Sequence, residues 1–300
     1  MKFLDKNEIE TIDELMFNKA LDVDVALYNY QFDNTDPTFV ETSLYLYVNE
    51  DGGFGHDLSL DNLNPNSLTY ETYQAFKIFK ECDVIDGNRD DISKELIFNA
   101  LDYLWKKNIF SSKDESNDKY ACAQRFKGSA INDMYLGICG YTILFAPKGS
   151  KYYRKALKVL DDNLDNILNI VDYDYFTLDQ YKIFLISILM NQEFSDKFSL
   201  LEKHFNELLT KFLDTSDVNK DYFEILSLLE DFELSENEDK IFNLALDSLV
   251  DARKKHGMWE NTHQWGTENI YPEASTAELK WIGRATRMAI HYLNKYNRIK

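Results

Sequence analysis

Five side chains able to move protons or hold a polar ligand crowd into one short stretch, NEDGGFGHDLSLDNLNPNS, residues 49–67. They are Asp51, His56, Asp57, Asp61 and Asn64. A carboxylate beside an imidazole suits general acid–base work, because histidine titrates near neutral pH. His56, Asp57 and Asp61 are therefore the candidate catalytic residues, with Asp51, Phe54 and Asn64 as candidate ligand contacts. The same types also serve turns, where Asp and Asn side chains bond nearby backbone. Ser67 or Asn66 is expected to cap the helix that follows.

A second long connection, GMWENTHQWGTENIYPEASTAELKW, brings Trp259, Glu260, His263, Trp265, Glu268 and Tyr271 close in sequence. Aromatic faces beside acids suit sugar rings, so Glu260, His263 and Trp265 are candidate ligand-binding residues. Trp259 is expected in the core, stapling the last hairpin. On the last helix Lys280, Arg284, Arg287 and His291 recur at i, i+4, i+7 and i+11. Such a stripe suits a diphosphate or carboxylate, which makes Arg284 and Arg287 candidate ligand contacts. The alternative is an outer face paired with acids near the helix C-terminus. The neighbouring stripe of Trp281, Ala285, Met288 and Tyr292 is expected to pack core.

Two metal readings are weaker than their structural alternatives. Asp161-Asp162-Asn163-Leu164-Asp165 matches an Asp-Asp-x-x-Asp magnesium pattern, and on one helix its first and last acids would share a face. In so acidic a chain it is expected to be a solvated face. Cys122 and Cys139 with His263 offer a conceivable zinc set, but free cysteines usually pack as small apolar residues. No metal and no cofactor is expected.

These groups need elements to position them. With only four prolines in 300 residues, long spans are free to be helical. Apolar residues step by three or four, as in Phe198, Leu201, Phe205, Leu208 and Phe212. Ser235-x-x-Glu238 has the form of a capping box, and Gly257 that of a helix stop. The pattern predicts about eleven helices, at roughly 8–30, 37–49, 67–82, 90–107, 131–146, 150–171, 174–191, 194–213, 218–231, 236–256 and 273–296, with few or no strands. Short polar connections favour antiparallel neighbours, and no shift in composition divides residues 1–300 into domains.

A formal charge of −19 makes nucleic acid an unsuitable partner. The longest aliphatic run, Ile183 to Met190, falls far short of the roughly 20 residues that span a bilayer. The first residues hold no apolar core of signal-peptide length. Three scattered cysteines make no disulfide framework. A cytoplasmic location is expected.

An internal echo links the two long connections: each unit runs helix, glycine, aromatic, long proline-bearing loop, helix. YVNEDGGFGHDLSLDNLNPNS, over residues 47–67, resembles the Asn-x-Asp-Gly-Gly-Phe-Gly-His stretch of bacterial prenyltransferase-like and squalene-cyclase-like proteins. The resemblance implies an all-α fold, an α/α toroid of five to six helical hairpins around a central cavity. It implies an apolar small-molecule ligand there, of which an isoprenoid is the example. The catalytic motifs of those enzymes do not extend to this chain. Asp172-Tyr173-Asp174 and Asp22-Val23-Asp24 lack a third acid, and no zinc set of Asp, Cys and His is readable. A carbohydrate-active hydrolase or lyase of six-hairpin type, with paired carboxylates, is the second reading. A non-catalytic binding or scaffold protein is the third.

Overall fold

The computed structural model describes residues 1–82, 91–129, 131–254, 257–260, 265–267 and 270–300. His263 and Glu268 lie outside the described residues, as does most of the DVIDGNRDD connection. Among the described residues the regular structure is helical, and pairing between extended segments is limited to isolated bridges.

Thirteen α-helices are described, two more than the periodicity predicts. The span 8–30 is two helices, α1 (Ile9–Lys19) and α2 (Asp22–Asp33). They part where Ala20 and Leu21 turn extended, and Asp22 and Asp24 then occupy the first turn of α2. Acids there favour a new helix start through the helix dipole. The span 37–49 shortens to α3 (Thr38–Leu44), because Val48 leaves the helix to pair with Phe54. α4 (Thr69–Glu81) and α5 (Asp91–Lys107) follow, then α6 (Tyr135–Phe145).

The span 150–171 also divides, into α7 (Lys151–Asp162) and α8 (Leu164–Leu168). Asn163 interrupts it with its side chain donating to the Val159 carbonyl, the backbone competition that disfavours Asn inside helices. The remaining helices are α9 (Tyr175–Asn191), α10 (Phe198–Thr215), α11 (Tyr222–Leu229), α12 (Glu236–Ala252) and α13 (Ala274–Lys295).

Ser235 and Glu238 form the expected reciprocal capping box at the start of α12. Two other capping expectations are corrected. α4 begins at an extended Leu68 with no side-chain cap; Ser67 instead donates to Asp51. Gly257 does not close α12, which ends at Ala252; it takes φ +91° in a separate turn whose N–H bonds Lys254.

The packing order places α4 on α6, α6 on α9, α9 on α11, α11 on α13, and α13 on α2. Tyr30 and Gln31 of α2 then hydrogen-bond Cys82 and Glu81 at the end of α4. A second set sits against these helices: α5 on α4, α7 on α6, α10 on α9, α12 on α11 and α1 on α13. At Gly283 of α13 an added Cβ would strike the Ala20 backbone. Glycine is thus what lets α13 settle against the α1–α2 corner. One apolar cluster draws on every α-helix, and Trp259, fully buried, fixes the second long connection to α12 by donating to the Leu249 carbonyl.

Candidate functional site

A cavity of about 560 Å³ opens among α2, α4, α9, α11 and α13, Ser59 of the first long loop, and the connection between α5 and α6 at Ser112, Arg125 and Asp133. Its rings are Tyr70, Phe126, Tyr175, Phe176, Phe223 and Trp281. The polar part of the wall is mostly committed to contacts within the protein. Arg284 reaches both Asp24 oxygens through Nε, at 3.1 and 3.0 Å, and Arg287 Nε reaches Oδ1 at 3.2 Å. Arg287 also donates to Glu81 at 2.5 Å. Burial pushes the Glu81 carboxyl up, but Arg287 and the nearby His291 outweigh it and hold it below the usual range. Lys77 bonds Asp179 at 3.0 Å, and Arg125 pairs with Asp61.

The acids of the far wall have local partners. Asp133 accepts from the Ser112 backbone at 2.9 Å and hydroxyl at 2.5 Å. Asp174 caps α9 by accepting from Thr177.

The loop of residues 49–67 folds as a tight structure of its own beside this cavity. Asp51 accepts from Gly53 and Ser67, and His56 meets Asn49 at 2.8 Å. A Cβ on Gly55 would collide with the Asn66 carbonyl, so the close return of the loop depends on that glycine. Asn64 is buried and ties the loop to Ser116 and Asn117. Phe54 is fully buried, with its backbone bridging Val48 and Leu68, and it takes no part in the cavity wall. Asp51, His56, Phe54 and Asn64 thus lie in the loop's own framework.

Asp57 and Asp61 connect this loop outward. Lys280 donates to Asp57 Oδ2 at 2.6 Å, while buried Oδ1 has no hydrogen-bond partner. Burial raises the Asp57 carboxyl above its ordinary value, with Lys280 opposing. Asp61 accepts from the indole N–H groups of Trp265, at 2.9 Å, and Trp281, at 2.6 Å, besides its pair with Arg125. The two long connections therefore meet at one carboxylate. Glu260 pairs with Lys254 at 3.2 Å.

Arg284 and Arg287, read from spacing, do line the cavity, but their charge is largely met by Asp24 and Glu81. Trp281, Ala285 and Met288, expected to pack core, line it too. The Asp161–Asp165 acids do not share one helix face, because the helix breaks at Asn163, and Asp161 pairs with Lys197. Among the described residues no three His, Cys, Asp or Glu side chains group as a metal site. Cys122 and Cys139 belong to different apolar clusters.

Sequence reasoning missed Ser59, Glu71, Asp24 and the rings of α4, α9 and α11. Glu71 carried a legible signal: it sits on the stripe Glu71, Ala75, Ile78, Cys82, otherwise apolar. It is fully buried and accepts from the Ser59 N–H at 2.7 Å and hydroxyl at 2.6 Å. Burial pushes its carboxyl up to about 8, against the two Ser59 bonds. Its proton is therefore kept in the fold and lost in the unfolded chain between about 4.5 and 8. Its contribution to stability is full below that window and falls as pH rises through it, by about 1.4 kcal/mol per pH unit. Urea melts of wild type and Glu71→Gln across these pH values should differ by that slope. Parallel pH profiles would show that Glu71 ionises normally.

Compared with protein-family models, with curated proteins and with solved structures, the chain matches none.

Proposed function

We propose that residues 1–300 form a single α/α toroid that binds a small, largely apolar ligand in its central cavity. The packing order supports the toroid: α4, α6, α9, α11, α13 and α2 follow one another, hydrogen bonds from α2 to the end of α4 complete the inner ring, and α1, α5, α7, α10 and α12 back it. The observation that carries the ligand reading is the wall itself, six aromatic rings around about 560 Å³, within the size range of small-molecule sites. The resemblance of residues 47–67 to prenyltransferase-like and squalene-cyclase-like proteins points to an isoprenoid as the first ligand to test. A free isoprenoid suits the wall better than its diphosphate, because each lining cation already faces an acid.

A carbohydrate is the second reading, favoured by Asp133, Asp174 and Glu224 standing beside Phe176 and Phe223 on the same wall. Thermal shift with isoprenoids, isoprenyl diphosphates, oligosaccharides and uronates separates the two. A ligand at 100 times its dissociation constant stabilises by about 2.7 kcal/mol. The expected shift comes from uncharged isoprenoids and disappears in the Phe176→Ala/Phe223→Ala double variant. A shift from sugars alone would transfer the site to the second reading, and one that survives the double variant would place binding outside the cavity.

A further inference from the structure

The wall segment beside Arg284 holds a serine on an unusual backbone. His56, Asp57 and Leu60 all take positive φ, at 56°, 68° and 69°, and Ser59 sits among them. Non-glycine residues persist in that region only where the surroundings enforce it, and such positions cluster at functional sites. Ser59 lines the cavity while its hydroxyl points back to Glu71 at 2.6 Å. That leaves the lone pairs of Oγ for the cavity side. Arg284 is the cation at this point of the wall. Its Nη1 donates to the carbonyl of Leu58, the residue before Ser59, and its buried Nη2 has no hydrogen-bond partner. A serine with a buried carboxylate behind it and a guanidinium donor beside it has the parts of an activated nucleophile.

We propose that Ser59 is a nucleophile toward carbonyl compounds bound in the cavity and that Glu71 is the base that takes its proton. The substrate class is an ester with an apolar acyl or aryl group, which rests on the cavity's binding an apolar ligand. Ser59 Oγ bonds the carbonyl carbon, its proton passes to Glu71, and the carbonyl electron pair moves to oxygen, whose charge the neighbouring Arg284 guanidinium offsets. As the carbonyl re-forms, the bond to the alcohol oxygen breaks and the alcohol leaves with the proton from Glu71. Water then attacks acyl-Ser59, giving one proton to Glu71, which returns it to Ser59. The sum is ester plus water to acid plus alcohol.

Glu71 must be ionised to act. The charged and titratable groups that act on it are Asp57, on the same loop as Ser59, with Arg284, Arg125 and Tyr70. With its carboxyl raised to about 8, nucleophilicity should climb through neutral pH.

The test is reaction of the purified full chain with an alkyl fluorophosphonate, followed by intact mass and peptide mapping. The expected result is one adduct, on Ser59, forming about tenfold faster per pH unit and levelling off above about 8. Ser59→Ala should form none. Glu71→Gln should label roughly 10²-fold to 10⁴-fold more slowly. No adduct on Ser59 at any pH, or a rate independent of pH, overturns the proposal. If Glu71→Gln fails to fold, the wild-type pH profile and Ser59→Ala still decide it. Ligand shifts without labelling would overturn the nucleophile and leave the cavity reading standing. Labelling without ligand shifts would support the nucleophile and count against the apolar ligand.

Discussion

Asp24→Ala should cost about 3–5 kcal/mol of folding stability, the range for removing one partner of a buried ion cluster. Asp24 is 1% exposed and holds two guanidinium groups that are themselves largely out of solvent. Without it, Arg284 keeps one backbone carbonyl and Arg287 keeps Glu81 and a long contact to Gln31. The loss follows from stranding positive charge in a low dielectric rather than from missing attraction alone. Two measurements check this. Urea denaturation of Asp24→Ala gives the loss, and adding Arg284→Met to it should recover part by removing a stranded charge. A variant within about 1 kcal/mol of wild type would mean that water reaches the pair and screens it.

Asp61→Ala should lower stability by about 3 kcal/mol, while His56→Ala should stay within about 1 kcal/mol. Asp61 is buried and accepts from Trp265, Trp281 and Arg125, so its removal leaves two indole N–H groups without their acceptor. His56 is exposed and makes one side-chain contact, to Asn49. Thermal melting separates them, at roughly 1.5 °C per kcal/mol for a chain of 300 residues. An Asp61→Ala protein that melts like wild type would sink the structural assignment and return Asp61 to the candidates for acid–base work. The assignment also has a functional side. Trp281 lines the cavity and takes its orientation from Asp61, so ligand binding should weaken in Asp61→Ala even where the fold survives.

The helical class of this protein is written in its sequence. Apolar residues at spacings of three and four, as in Phe198 to Phe212, allow one folding pattern locally, and few prolines interrupt it. The capping box of Ser235 and Glu238 is equally local, since both partners lie within one turn. Helix breaks at Ala20 and Asn163 were not legible from periodicity, because the apolar period runs on across them and what divides the helix is backbone bonding and the contact with Gly283.

The basic stripe of α13 shows where sequence stops. Spacing established that Lys280, Arg284 and Arg287 share one side of a helix. It did not establish that Asp57, Asp24 and Glu81, each more than 200 residues from the cation it meets, would take up most of their charge. Spacing likewise gathered the polar residues of 49–67, but left unsettled which of them face the loop and which face the cavity. That was decided by Glu71 on the next helix, Lys280 and Trp281 on the last, and Trp265 between. Local order follows from short-range sterics and hydrogen bonds, which the sequence specifies directly. The state of a buried charge depends on every group within a few ångströms, and only the tertiary structure selects those neighbours.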